Sequence, residues 1–550
     1  RIVKLIDSSQ FHVGYMIEQR AKRYGDKTVF NIIQGDDLTT LSYQELWSKV
    51  QMTGKAISVL EKPEISPVIG LLTHNQLNSV LVDLACLSFG FRVIPIPLNS
   101  TSEHLSFILD QSEISYLFVG GKTGVRLWNE IQQNHDMDVI ALNDSDFIQG
   151  KVSDWETFIE NRDRTLNFDV KQRLSYVSMD HIQTIMYTSG STANPKGITF
   201  NQKNMMSKRF ARALALPEFG PDDTFLCYLP LFHTFGRYFE LMGSIYWGAT
   251  YAFAESPAFN SLLKDFPMVK PSIFISIPKR WVQLYEMLEE QLDLYSAESE
   301  VIQSNLKEIT GGKLKWGLSA AGYLDPDIFK FYQSHGINVL SGYGMTEATG
   351  GITMTPPAEY VIDSVGTALP GITLKIADDG ELCLKGSYVT EGYYKDDDAD
   401  IFIDGWFHTG DIFKEKDGHY FIIDRKKDIY KNSRGQTIAP QKIENLFQDF
   451  DSVKSVFLVG DGREFNTVLI YPDTKNSLIN IETADKQTIR DLYSSMILSV
   501  NSFLSPFERI VNFVIISRDF SEEKGELTQK ETYNRKNILK NFSNIIDPLY

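Results

Sequence analysis

Short apolar runs alternate with helical periods through the first half of this chain, and that rhythm constrains its fold more than any other feature. Val68-Ile69-Gly70-Leu71-Leu72 leads into an apolar-periodic stretch from Ser79 to Leu87, and then into Val93-Ile94-Pro95-Ile96. The same order recurs near Tyr116-Leu117-Phe118-Val119, Val139-Ile140-Ala141-Leu142 and Ser272-Ile273-Phe274-Ile275. Apolar runs this short and continuous suit strands buried on both faces, and the helical periods between them supply the crossovers that parallel pairing needs. The expected fold class is α/β, with parallel sheets covered on both sides.

Local signals add detail. Asp7-Ser8-Ser9 ahead of Val13, Ile17 and Ala21 predicts a capped amphipathic helix. Ser42 stands three residues before Glu45, a capping-box pattern opening the next helix. Strands and turns dominate from Gly366 to Ile423, where glycines recur at 371, 380, 386, 392, 405, 410 and 418. Past the basic run Asp424-Arg425-Lys426-Lys427-Asp428 come a helix from Pro440 to Phe450, an alternating stretch Val453 to Val459, and a last α/β region. That run marks the expected domain boundary: a large N-terminal domain of βαβ subdomains with a β-rich part, 1–424, and a small α+β C-terminal domain, 425–550.

Composition excludes several classes. The 550 residues allow three or four domain-sized units, and 43% hydrophobic with 23% charged residues rules out disorder and fibrous designs. Asp plus Glu exceed Lys plus Arg by 71 to 54, a net charge of −17 that disfavours nucleic acid as a partner. Cys86, Cys227 and Cys383 are far apart and in apolar stretches, which reads as free thiols in a reducing cytoplasm. No secretory signal is legible from Arg1 onward, and no run reaches the length of a membrane span, leaving only peripheral membrane contact open.

Five segments carry chemistry. In Tyr187-Thr188-Ser189-Gly190-Ser191-Thr192-Ala193-Asn194-Pro195-Lys196-Gly197, small hydroxylated residues and Gly190 expose N–H and O–H groups that suit a polyphosphate, and Lys196 adds a cation. Gly197 stands where a Walker A loop requires Ser or Thr, so that loop is excluded. A flexible surface loop is the competing reading. The second segment, Tyr228-Leu229-Pro230-Leu231-Phe232-His233-Thr234-Phe235-Gly236-Arg237, carries a lone histidine, which taken alone is more often structural. The third runs from Leu318-Ser319-Ala320-Ala321-Gly322 to Ser341-Gly342-Tyr343-Gly344-Met345-Thr346-Glu347. Its Gly-Tyr-Gly imitates a dinucleotide fingerprint, but Glu347 occupies the sixth position. An aromatic face suits a nucleobase and a carboxylate suits a hard cation. The fourth is Gly405-Trp406-Phe407-His408-Thr409-Gly410-Asp411, and the fifth Ile423-Asp424-Arg425-Lys426-Lys427-Asp428, continuing to Asn445.

In this order and spacing, the segments resemble the adenylate-forming superfamily, and most closely its long-chain fatty acyl-CoA synthetases. The resemblance implies ATP- and Mg²⁺-dependent activation of a fatty acid to its acyl-adenylate, then transfer to coenzyme A. By the same resemblance, Thr188, Ser189, Gly190, Ser191, Thr192 and Lys196 hold the phosphates, and His233 orients the acyl group. Tyr343 stacks on adenine beside Gly322 and Gly344, Thr346 contacts the α-phosphate side, and Glu347 with Thr188 serves the metal. Asp411 accepts from the ribose hydroxyls, Ile423 and Arg425 complete the nucleotide site, and Lys427 is the hinge of a mobile small domain.

The pattern breaks near the C-terminus. Aligned on Leu527, Thr528 and Arg535, the family's catalytic lysine position holds Thr532, with Lys530 two residues earlier. Thr has no cation to offer a pentacovalent phosphate. Ala193 also replaces a usual glycine. Two alternatives stay open: loading of an acyl carrier protein instead of coenzyme A, and a degenerate nucleotide-binding homologue.

Overall fold

The computed structural model describes residues 2–550 apart from 63–65, 144, 165–167, 189–193, 295, 321, 358–359, 397–400, 448–449, 451, 475–482 and 528–531. The chain forms two compact units, Arg1–Thr373 with Leu384–Phe407, and Leu374–Cys383 with His408–Tyr550. All three crossings between units fall inside strands, within Ile372–Ile376, Glu381–Gly386 and Trp406–Lys416.

The first unit holds two seven-stranded sheets. One runs in the order Lys151–Asp154, Asp138–Ala141, Tyr116–Val119, Val68–Leu72, Arg92–Pro95, Thr184–Thr188, Lys196–Phe200. The other runs Asn338–Gly342, Trp316–Ala320, Ile273–Ser276, Thr224–Cys227, Thr250–Phe253, Thr28–Gln34, Asp37–Ser42. Every neighbouring pair is parallel except the last of each sheet, which is an antiparallel hairpin. In the first sheet Leu117 and Val119 pack in one apolar cluster while Phe118 joins another, so the sheet is covered on both faces as its continuous apolar runs require.

Ser42 and Glu45 form the capping box: the Ser42 hydroxyl accepts from Glu45 N at 3.2 Å, and the Glu45 carboxylate accepts from Ser42 N at 2.8 Å. The first helix region differs from expectation. Helices Ile2–Ser9 and Val13–Tyr24 are separate, and His12 rather than Ser9 caps the second, its Nδ1 accepting from Gly14 N at 3.1 Å. The histidine wins because its Nε2–H donates to Leu174 O at 3.0 Å, which fixes the ring.

In the second unit, strands Val453–Val459, Asn466–Pro472 and Ile510–Ile515 form a mixed sheet. Val456 and Leu458 face a cluster with Tyr493 and Val500 of helix Lys486–Ser502, whereas Phe457 and Val459 face Ile538 and Phe542. Alternation therefore feeds two cores. Helix Pro440–Asn445 is shorter than expected: past Asn445 the chain tightens, with Leu446 N and Phe447 N donating three residues back to Ile443 O at 3.2 Å and Glu444 O at 3.1 Å.

Candidate active site

Strands Thr224–Cys227, Ile273–Ser276, Trp316–Ala320 and Asn338–Gly342 are consecutive parallel neighbours, so their carboxyl ends share one edge. Open α/β sheets bind ligands outside that edge. The His233 segment leaves the first strand, Gly322 follows the third and Tyr343 the fourth. A Cβ on Gly322 would stand 3.2 Å from Pro278, against the turn that leaves the second.

The Tyr343 turn is a tight hairpin in which Gly344–Met345 pairs antiparallel with Gly350–Gly351. A Cβ on Gly344 would come within 2.5 Å of the Gly350 carbonyl, so only glycine fits. Thr346 and Glu347 start the 3-10 turn at the hairpin's tip. Several groups hold it. The ammonium of Lys208 donates to the carbonyls of Ala348, at 3.2 Å, and Gly351, and sits 4.1 Å from the Tyr388 ring centre. Burial, and then Arg212 and Arg209 nearby, push the Lys208 pKa well down. Thr349 donates to Tyr388 O at 2.5 Å, and Glu347 O accepts from Thr390 N at 2.6 Å.

Two of the sequence-predicted groups meet here through a residue the sequence reading missed. The Tyr393 hydroxyl donates to Glu347 Oε1 at 3.0 Å, and the Lys196 ammonium lies 4.9 Å from the Tyr393 ring centre and 3.6 Å from Asp396. Thr188 is the register partner of Lys196, so these two residues face each other at the ends of their antiparallel strands. Ser189, Gly190, Ser191 and Thr192 lie outside the described residues, as does Lys530. Among the described residues, no group of three or more His, Cys, Asp or Glu side chains converges as a metal cage. One carboxylate, Glu347, fits Mg²⁺ of the kind held by a single side chain plus phosphate oxygens.

His233 opens the helical turn that leads to the π-helix Phe235–Leu241: its carbonyl accepts from Arg237 N at 3.0 Å, and its ring lies 4.7 Å from that of Phe232. Thr234 stands 3.6 Å from where a Gly350 Cβ would be, so the His233 segment abuts the hairpin of Glu347. Arg237 is buried and pairs with Asp83 through two nitrogens, Nε at 2.9 Å and Nη2 at 2.5 Å, while Nη1 donates to Thr184 at 2.8 Å. It thus ties the π-helix to the strand that ends at Thr188.

In the second unit Asp411 and Arg425 are register partners in the hairpin of Trp406–Lys416 and His419–Arg425, with Nε and Oδ1 3.8 Å apart. The register slips at Ile423, a bulge that re-aims the strand end. Lys427 follows in a turn closed by Asp428 N donating to Arg425 O at 2.9 Å, while Lys426 N donates across the hairpin to Gly410 O at 2.8 Å. Asp424 is buried and accepts from Gln441 N at 2.8 Å and Arg425 N at 2.7 Å; burial outweighs these bonds and raises its pKa to about 6. Arg535 makes a bidentate pair with Glu444, at 2.8 and 3.0 Å, so it is committed to structure.

Residues 17–394 match the AMP-binding enzyme family, and residues 427–550 match the AMP-binding enzyme C-terminal domain. The chain belongs to the AMP-binding enzymes. Its curated relatives within that adenylate-forming family include the long-chain-fatty-acid–CoA ligase FadD15 of Mycobacterium bovis, 26% identical over 86% of this chain and 86% of the relative. The long-chain-fatty-acid–CoA ligase 1 of Homo sapiens is 26% identical over 93% of this chain and 82% of its own length. Among solved structures, o-succinylbenzoate coenzyme A synthetase from Bacillus subtilis, in complex with ATP and magnesium ion, superposes with a TM-score of 0.72 at 18% identity, covering 95% and 98% of the two chains. The family and these relatives make this AMP-binding enzyme an AMP-forming acid–thiol ligase.

Proposed function

We propose that this enzyme activates a long-chain fatty acid with ATP and transfers the acyl group to coenzyme A. The carrying observation is the contact of Lys196, Tyr393 and Glu347, which sets a cation and a carboxylate on one aromatic ring at the ends of the Thr188 and Lys196 strands. In the first half-reaction a carboxylate oxygen of the fatty acid attacks the α-phosphorus, and the bond to pyrophosphate breaks. Lys196, Thr188 and the loop 189–192 hold the departing phosphates, and Thr346 contacts the α-phosphate side. Glu347 and Thr188 would hold Mg²⁺, which would supply charge neutralisation on the phosphate oxygens. Tyr343, flanked by Gly344 and Gly322, takes the adenine, and His233 orients the acyl carboxylate. Asp411, Ile423 and Arg425 serve the ribose. In the second half-reaction the coenzyme A sulfur attacks the acyl carbonyl and AMP leaves, with Lys427 as the pivot of the domain 425–550. No protein nucleophile is needed, so the side chains act by positioning and charge.

The cation that Thr532 lacks falls to Lys530. Glu347→Ala is expected to abolish exchange of pyrophosphate into ATP; near-normal exchange removes the metal assignment. A second reading, a nucleotide-binding homologue with little turnover, draws on Thr532. Calorimetric ATP binding without exchange, at any acid tested, decides for it.

A further inference from the structure

Glu381 is an inward-facing carboxylate in strand Glu381–Gly386, its side chain 6% exposed, and no nucleotide role falls to it above. Its Oε1 accepts from Gly410 N at 2.8 Å. Its Oε2 meets His408 Nδ1 at 2.9 Å and accepts from Lys426 Nζ at 2.8 Å. Lys426 also pairs with Asp379 at 2.7 Å, and Lys426 N donates to Gly410 O. Gly410 immediately precedes Asp411, and Lys426 immediately follows Arg425. One carboxylate therefore grips the neighbours of both members of the Asp411–Arg425 pair, on adjacent strands. Three donors converge on it, and at least one is charged, which makes these bonds stronger than neutral ones. Burial alone would raise the Glu381 pKa, but the bonds from His408, Lys426 and Gly410 bring it below the usual carboxylate range.

Gly410 shows why a clamp is needed. Its φ of 73° is a left-handed conformation within strand Trp406–Lys416, just before Asp411. A backbone bent there holds one direction only if its N–H and C=O are both fixed, and Glu381 and Lys426 fix one each. We propose that Glu381 is a positioning residue for nucleotide binding, which sets the direction of Asp411 and Arg425 by clamping Gly410, His408 and Lys426. This rests on the reading of Asp411 as the ribose ligand.

The experiment is calorimetric AMP binding to the full-length chain carrying Glu381→Gln, Asp411→Asn or both. Glutamine keeps the size of the side chain but loses the anion that Lys426 requires. Glu381→Gln is expected to weaken AMP binding about tenfold, Asp411→Asn more, and the double variant by less than the product of the two losses, because Glu381 acts in part through Asp411. In steady state the Glu381→Gln loss is expected in KM for ATP rather than in KM for the acid. Lys426→Met attacks the same clamp from its exposed side and is expected to weaken AMP binding in the same direction, which covers misfolding of the Glu381 variant. Unchanged AMP affinity in both Glu381→Gln and Lys426→Met overturns the proposal, as does a double variant whose losses multiply. If Asp411→Asn itself leaves AMP affinity unchanged, the ribose assignment fails instead, and the clamp fails with it.

Discussion

At the scale of single residues, the most telling pair is Arg237 with Asp83. Both are buried in the first unit, and the guanidinium also reaches Thr184 in the strand that ends at Thr188. Removing one partner strands a buried charge, so Arg237→Met is expected to cost about 3–5 kcal/mol in denaturant unfolding. Arg237→Met with Asp83→Leu is expected to recover most of that loss, since the desolvation penalty disappears with both charges. The Lys530 assignment is tested at the same scale: Lys530→Ala is expected to lower pyrophosphate exchange about hundredfold, the size typical of losing one group that stabilises transition-state charge. An unaffected variant rejects that assignment. Lys196, Glu347 and Arg425 stood out in the sequence because their neighbours form ordered motifs. Tyr393 and Lys208 did not, since the first meets Glu347 from far along the chain and the second hides in the helix Gln202–Ala215. Glu381 left a trace: a charge directly ahead of the apolar run Leu382-Cys383-Leu384.

At the scale of elements, two buried groups titrate in the same pH range with opposite consequences. His12 caps helix Val13–Tyr24 as a neutral ring, and burial lowers its pKa to about 4. The folded chain then binds fewer protons than the unfolded chain between pH 4 and 6.5, so this cap's contribution is present above pH 6.5 and lost as the pH falls. Asp424 holds the first turn of helix Pro440–Asn445, and burial raises its pKa to about 6. Its folded form binds more protons between pH 4 and 6, so its contribution is present at low pH and lost as the pH rises through 6. Asp424→Asn is expected to flatten the second slope and His12→Asn the first, each read by denaturant titration across pH 4–7. The strands and the Ser42 capping box were legible because burial on both faces and local cap chemistry write themselves into adjacent residues. The His12 cap was not, because its bond to Leu174 comes from a helix far along the chain. Helix Pro440–Asn445 stopped short of its apolar pattern although Phe447 still joins Ile443 in the same core, because the last amides bond three residues back, a tightening that apolar spacing does not reveal.

At the scale of the molecule, no helix among the described residues is long and apolar enough to cross a membrane, and the net charge is −17. A hydroxamate assay across saturated acids of increasing length, with and without coenzyme A, is expected to peak at long chains and to give the thioester only with coenzyme A. A peak at short or aromatic acids overturns the substrate class while leaving the enzyme class standing. The three strand-borne crossings between the units carry a practical consequence for anyone dividing this protein. Cleaving or swapping at the basic run would strand Glu381, His408 and Gly410 on the wrong fragment, and no single cut point liberates either half intact. Exchange of modules with a homologue would have to graft two separate stretches of polypeptide at once, 374–383 and 408–550.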